Sequence, residues 1–201
     1  MQLNKVLIFG VGLIGGSLAL ALKKAGVATH IVGIGRNQDS LNTALSLGVI
    51  DEAQTDIAQA MQGADIVVIA TPVAQTPEIL AAIAPHLKAD TIITDAGSTK
   101  SDIAGYVANA AQNLTPALLS QFVGGHPIAG AEKSGVSAAK ADLFLGKNVI
   151  LTPNEQTSEQ ALSKVRALWE ATGANVSEMS AEAHDQIFAA VSHLPHLLAF
   201  A

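Results

Sequence analysis

The chain has 201 residues, 49% of them apolar and only 3% aromatic, so its core must be built from Ala, Val, Ile and Leu. With 11 basic against 17 acidic residues the net charge is −6, which offers no basic surface for nucleic acid as a main partner, and the lack of cysteine excludes disulfides and thiolate metal sites. No segment approaches the ~18 uninterrupted apolar residues of a membrane span, and no basic stretch precedes an apolar run; the expectation is a soluble, cytoplasmic protein with no membrane partner.

Lys5 to Phe9 is an apolar run with polar flanks, which predicts a buried first strand. It leads into Gly10-Val11-Gly12-Leu13-Ile14-Gly15, then a helical stretch to Ala25 that Gly26 ends. This is G-x-G-x-x-G between strand and helix, the context in which the motif binds dinucleotides. Gly10 permits the tight turn, Gly12 lets a pyrophosphate approach the backbone, and Gly15 lets the helix pack on the strand. The helix N-terminus offers unpaired N–H groups and partial positive charge to the phosphates. Gly10, Gly12, Leu13, Ile14 and Gly15 are therefore candidate cofactor residues.

His30 to Ile34 reads as the second strand. An NAD site commonly has a carboxylate ~20 residues past the glycines, for the ribose 2′-hydroxyl. Here that position is Gly35, followed by Arg36. Arg36 either pairs with a 2′-phosphate, with Asn37 and Ser40 donating beside it, or stacks on adenine and admits both cofactors. The cofactor expected is NADP or NAD, leaning to NADP.

Leu41 to Leu47 and Ile57 to Met61 read as helices, and Ala64 to Ala70 as a strand broken by Thr71-Pro72-Val73. Ligands of open α/β sheets bind at the carboxyl ends of strands, so Thr71, Pro72 and Val73 are expected beside the nicotinamide ribose. Thr76 to His86 reads as helix, Thr91 to Thr94 as strand, and Lys100 to Ala111 as helix. Ser98 either N-caps that helix or points its hydroxyl into the cleft, and local sequence favours capping. Lys100 is expected to be a solvated first-turn lysine rather than a substrate contact.

Leu118 to Val123 suggests a strand running into a glycine-rich loop, Val123 to Gly135, with His126 at its centre. Pro127 holds His126 extended, so the imidazole is aimed, and it can exchange a proton near neutral pH. Ser137 to Phe144 reads as helix, Asn148 to Leu151 as strand, Ser158 to Thr172 as an amphipathic helix with Trp169 in the core, and Gly173 to Ser177 as a last strand. From Ser180 the pattern is helical, and Pro195 kinks it near His193 and His196. His30, His86 and His184 are expected to be structural or solvated. Strand and helix alternate, so the fold class is α/β: a doubly wound, mainly parallel Rossmann-type sheet in residues 1–178, with residues 179–201 starting a second, all-helical domain.

The glycine fingerprint, G-G-H-P-I-A-G-A-E-K-S-G at 124–135 and S-H-L-P-H-L-L-A-F-A at 192–201 together resemble the prephenate/arogenate (cyclohexadienyl) dehydrogenase family of tyrosine biosynthesis. The resemblance covers essentially the whole chain. It implies oxidative decarboxylation of prephenate or L-arogenate with hydride transfer to NAD(P). His126 matches the catalytic histidine and Ser98 a serine able to hydrogen-bond both the substrate hydroxyl and that histidine. His196 matches a substrate-binding residue with His193 nearby, and Glu132 an acidic residue that helps close the site. A helical second domain forms the dimer in this family, so a homodimer is expected at full length, with the substrate-carboxylate arginine beyond residue 201; the isolated 201 residues are expected to bind dinucleotide but turn over poorly. His126, His193 and His196 lack an obvious carboxylate ligand and the chemistry needs no metal, so no metal site is expected. Two alternatives remain open: another two-domain NAD(P) dehydrogenase of the 3-hydroxyacid or 6-phosphogluconate type, and a non-catalytic NAD(P)-binding regulatory module.

Overall fold

A computed structural model describes residues 2–189. Eight strands form one sheet: β1 (Leu3–Phe9), β2 (Ala28–Ile34), β3 (Glu52–Gln54), β4 (Ile66–Ile69), β5 (Ile92–Asp95), β6 (Phe122–Pro127), β7 (Asn148–Thr152) and β8 (Asn175–Glu178). Their spatial order is β3-β2-β1-β4-β5-β6-β7-β8. Every pairing is parallel except β6 with β7, where His126 lies opposite Ile150 and Gly125 opposite Leu151. From β1 the chain first builds outward to β2 and β3, then returns to build on the other side through β4. That reversal opens a crevice at the carboxyl ends of β1 and β4.

The central strands are apolar on both sides because helices cover both faces. Val6 and Ile8 of β1 and Ile66 and Val68 of β4 join Leu18, Leu22, Val165 and Trp169 in one layer. Those helical residues belong to α1 (Leu13–Lys24) and α7 (Glu159–Glu170), and α2 (Gln38–Ser46) adds Leu41 and Ala44. The alternate residues, Leu7, Phe9, Val67 and Ile69, face the opposite layer. There they meet α3 (Ile57–Met61), α4 (Thr76–Ile83), α5 (Lys100–Asn113) and α6 (Ala117–Gln121). Each fully buried Leu, Ile or Val contributes roughly 1.5–3 kcal/mol. Side-chain caps start several helices: Asn37 accepts from the Ser40 amide, Ser158 from Ala161, and Ser180 opens α8 (Ala181–Phe188) by accepting from Ala183.

Three local readings change. Residues 118–121, expected as strand, lie in α6, and β6 begins only at Phe122; a short apolar run carries no period that separates the two states. The expected histidine loop begins as strand, since Val123 pairs with β5 and Gly124 to Pro127 with β7, and only the following residues form the loop. Residues 137–144, expected as helix, form a single 3₁₀ turn at Val136–Ala138 and then turns. The Lys140 amide there donates to the buried Ser17 hydroxyl of α1 at 2.9 Å, so docking on α1 overrides local propensity. The three-residue β3, held as an edge strand against β2, was too short to announce itself by alternation.

Candidate active site

The first βα turn is built for a close-lying ligand. Gly10 has φ +88°, and a Cβ there would lie 2.6 Å from the Ala70 carbonyl oxygen. A Cβ on Gly15 would strike the Gly10 carbonyl at 2.2 Å, whereas one on Gly12 would meet nothing within 4 Å among the described residues. Gly10 and Gly15 are thus dictated by the protein's own packing, and the space over Gly12 is open to a ligand. Gly12 begins α1, which has no side-chain cap and no acid in its first turn, so its N–H groups suit a pyrophosphate.

Two cavities flank this turn. One of about 620 Å³ lies at the end of β2, lined by Phe9, Gly10, Gly35, Arg36, Glu78 and Ile79 among others. Arg36 is exposed there, and Asn37 has its side-chain oxygen engaged in capping α2. Glu78, supplied by α4, puts a carboxylate into the same cavity that no count along β2 could reveal. The second, of about 370 Å³, is lined by Ile14, Thr71, Pro72, Val73, Ser98 and His126, with Ala70, Ala96, Gly97, Pro127 and Ala129. Thr71 lines both cavities, and its buried hydroxyl has no hydrogen-bond partner among the described residues. An open glycine turn, a bare helix N-terminus and an orphaned hydroxyl where two cavities meet fit an extended dinucleotide.

A buried ion pair holds the floor of the second cavity. Lys100, expected to be solvated, is 1% exposed, and its Nζ donates to Asp95 Oδ2 and, at 2.8 Å, to the Gly125 carbonyl. Asp95 in turn accepts from the amides of Gly97 at 2.6 Å and Gly125 at 3.0 Å. Burial pushes the Lys100 ammonium below its ordinary value, and the Asp95 charge opposes that push. The pair therefore clamps both polar groups of Gly125, the residue before His126. Gly125 is required by space as well: a Cβ there would lie 2.8 Å from the Asp95 carbonyl oxygen.

Ser98 does not cap α5. Thr99 occupies the cap position without a side-chain bond, and the amides of Lys100 and Ser101 donate instead to Asp185 of α8, each at 2.8 Å. Ser98 is left lining the cavity with His126. His184, also on α8, is fully buried, with its Nε2 2.8 Å from His126 Nδ1 and its Nδ1 2.8 Å from Asp185 Oδ1. Burial pushes the His184 imidazole down, so it is neutral near pH 7, against the opposing Asp185 charge. Burial alone would raise Asp185; the Lys100 and Ser101 amides and His184 outweigh it and bring the carboxyl down to about 2. Lys100, His184 and Asp185 were all missed as parts of the site. A His-Asp pair four residues into a helix carries no local signal, because its partners are 58 and 85 residues away. Leu13 and Glu132 do not line the second cavity, and Glu132 is exposed on the loop after β6. His193 and His196 lie outside the described residues.

A doubly wound sheet with an open glycine turn at its crevice and a half-buried histidine in the cavity beside that turn defines a dinucleotide-binding domain. Residues 18–178 match the family described as prephenate dehydrogenase, nucleotide-binding domain. The chain is 43% identical over 197 residues to the prephenate dehydrogenase of Bacillus subtilis, covering 98% of this chain and 52% of that protein. The solved prephenate dehydrogenase from A. aeolicus, in complex with hydroxyphenyl propionate and NAD+, superposes with a TM-score of 0.90 at 41% identity, over 100% of this chain and 68% of that one. A Synechocystis arogenate dehydrogenase superposes with a TM-score of 0.84 at 35% identity, over 95% and 65% of the two chains. The chain belongs to the prephenate dehydrogenase family and carries its nucleotide-binding domain. It spans about half the length of the Bacillus relative.

Proposed function

We propose that the protein carrying this chain oxidatively decarboxylates prephenate or L-arogenate with NAD(P), as an enzyme of tyrosine biosynthesis. The observation that carries the reading is that Ile14, on the glycine-loop helix, and His126 line one cavity. When bound, the oxidised nicotinamide would supply the acceptor for the hydride that leaves the carbinol carbon. His126 takes the hydroxyl proton as the carbonyl forms, and Ser98 hydrogen-bonds the same hydroxyl. Loss of carbon dioxide then aromatises the ring. Gly10, Gly12, Leu13, Ile14 and Gly15 would hold the pyrophosphate, with Thr71, Pro72 and Val73 beside the nicotinamide ribose. His193, His196 and Glu132 are proposed to contact substrate or close the site.

The cofactor is proposed to be NADP in preference to NAD, supported by Arg36 at the end of β2 and opposed by Glu78 in the same cavity. The protein is further proposed to be a cytoplasmic homodimer, with residues 179–201 beginning a helical dimerisation and substrate domain after the dinucleotide domain of residues 1–178. Among the described residues no helix is long and apolar enough to cross a membrane.

The test is turnover of both substrates with both cofactors by the full-length protein, followed as reduced nicotinamide. His126→Asn should lower kcat by ~10²–10⁴-fold, the range of a positioned acid–base group. Absence of turnover with either substrate would refute the reading, and a strong preference for NAD would refute the cofactor assignment.

A further inference from the structure

We propose that Asp185 and His184 are positioning residues that fix the tautomer of His126, passing one proton direction along Asp185–His184–His126. The proposal rests on the dehydrogenase reading only for its catalytic consequence. Its geometry stands alone: two nitrogen–acceptor contacts of 2.8 Å in series, with the middle ring fully buried.

The direction follows from what each group can do. An ionised carboxylate accepts only, so the proton between Asp185 and His184 sits on His184 Nδ1. A neutral imidazole has one N–H, so His184 Nε2 carries a lone pair and accepts. The proton between the rings therefore belongs to His126 Nδ1, which puts the basic lone pair of His126 on Nε2. A substrate hydroxyl needs such a lone pair. Second-partner carboxylates set histidine tautomers in the same way in other sites.

The chain of groups is anchored at both ends. Asp185 is held by the Lys100 and Ser101 amides at the start of α5, immediately after Ser98. Phe188 stacks on His184 with ring centroids 4.5 Å apart and meets His126 edge-on at 5.4 Å, so both ring planes are fixed. Among the described residues the charged groups around His184 are Asp185, Lys100 and Asp95, the last two already paired with each other. Asp185 is thus the carboxylate that orients the ring.

The test uses the full-length protein with ¹⁵N-labelled histidine at neutral pH, without substrate. Both His126 and His184 should show a protonated Nδ1 and an unprotonated Nε2, the tautomer that free histidine disfavours. His184→Phe, which keeps the ring and removes the acceptor, should lose that signature on His126 and lower kcat by about 10–100-fold, as loss of a supporting partner does elsewhere, with KM near wild type. His184→Gln places an amide oxygen where Nε2 was and should recover both the tautomer and much of kcat. His126 protonated on Nε2, or His184→Phe retaining wild-type kcat, or Gln behaving no better than Phe, overturns the proposal. A wild-type protein with the expected tautomers but no turnover supports this arrangement while refuting the dehydrogenase reading.

Discussion

Replacing Lys100 by Met removes a buried ammonium while keeping most of the side chain's length. Lys100 and Asp95 are each 1% exposed. In the variant, Asp95 keeps the Gly97 and Gly125 amides as donors but loses its counter-charge, and the Gly125 carbonyl loses a donor. Breaking a buried pair from one side costs about 3–5 kcal/mol, because the remaining charge stays desolvated. In a domain of this size that lowers Tm by roughly 6–20 °C. Urea unfolding followed by Trp169 fluorescence measures the loss near the site, since a Cβ on Gly125 would lie 3.3 Å from the indole nitrogen. Adding Asp95→Asn removes the stranded charge, so the double variant should be more stable than Lys100→Met alone, with a coupling energy of about 1–3 kcal/mol. A single-variant loss below about 1 kcal/mol, or strict additivity in the double variant, would show that the pair is not the buried clamp described.

Asp185 makes stability fall in acid. Its carboxyl is depressed from 3.8 to about 2, so its contribution is complete above the ordinary carboxylate value and disappears as pH falls through about 2. The size is about 2 kcal/mol. Asp185→Asn should therefore lower stability at neutral pH and flatten this part of the acid-denaturation curve; an unchanged acid limb would contradict it. Gly12→Val should fold with a stability change of about 1 kcal/mol or less, because no described residue would come within 4 Å of a Cβ there, yet weaken dinucleotide binding by tenfold or more, on the order of 1.4 kcal/mol of lost contact. Full binding by that variant, read by fluorescence titration, would place the pyrophosphate elsewhere. Gly10→Ala meets both a positive φ and the Ala70 carbonyl, so it should destabilise the fold itself by about 1–3 kcal/mol in a thermal melt. A wild-type melting curve would contradict the tight packing seen there.

What could be read along the chain was whatever depends on neighbours in sequence. The βα order, the glycine turn and the apolar runs of β1, β4, β5 and β7 express local backbone and burial preferences, so composition and spacing sufficed for them. The place of Arg36 at the end of β2 was legible because it stands at a counted distance from the glycines. Boundaries such as α6 against β6 were ambiguous, because a short apolar run fits either state.

The inner architecture of the site was decided by tertiary structure. Lys100 looks like any first-turn lysine, yet Asp95 and the Gly125 carbonyl bury it. Ser98 looks like a cap, yet Asp185 from the far end of the chain takes the amides at the start of α5. His184 becomes a partner of His126 only when α8 packs on α5 and brings two distant segments within 2.8 Å. Turn and strand chemistry is encoded within a few residues, whereas the state of a titratable group depends on which charges and dipoles surround it after folding, and those come from anywhere in the chain.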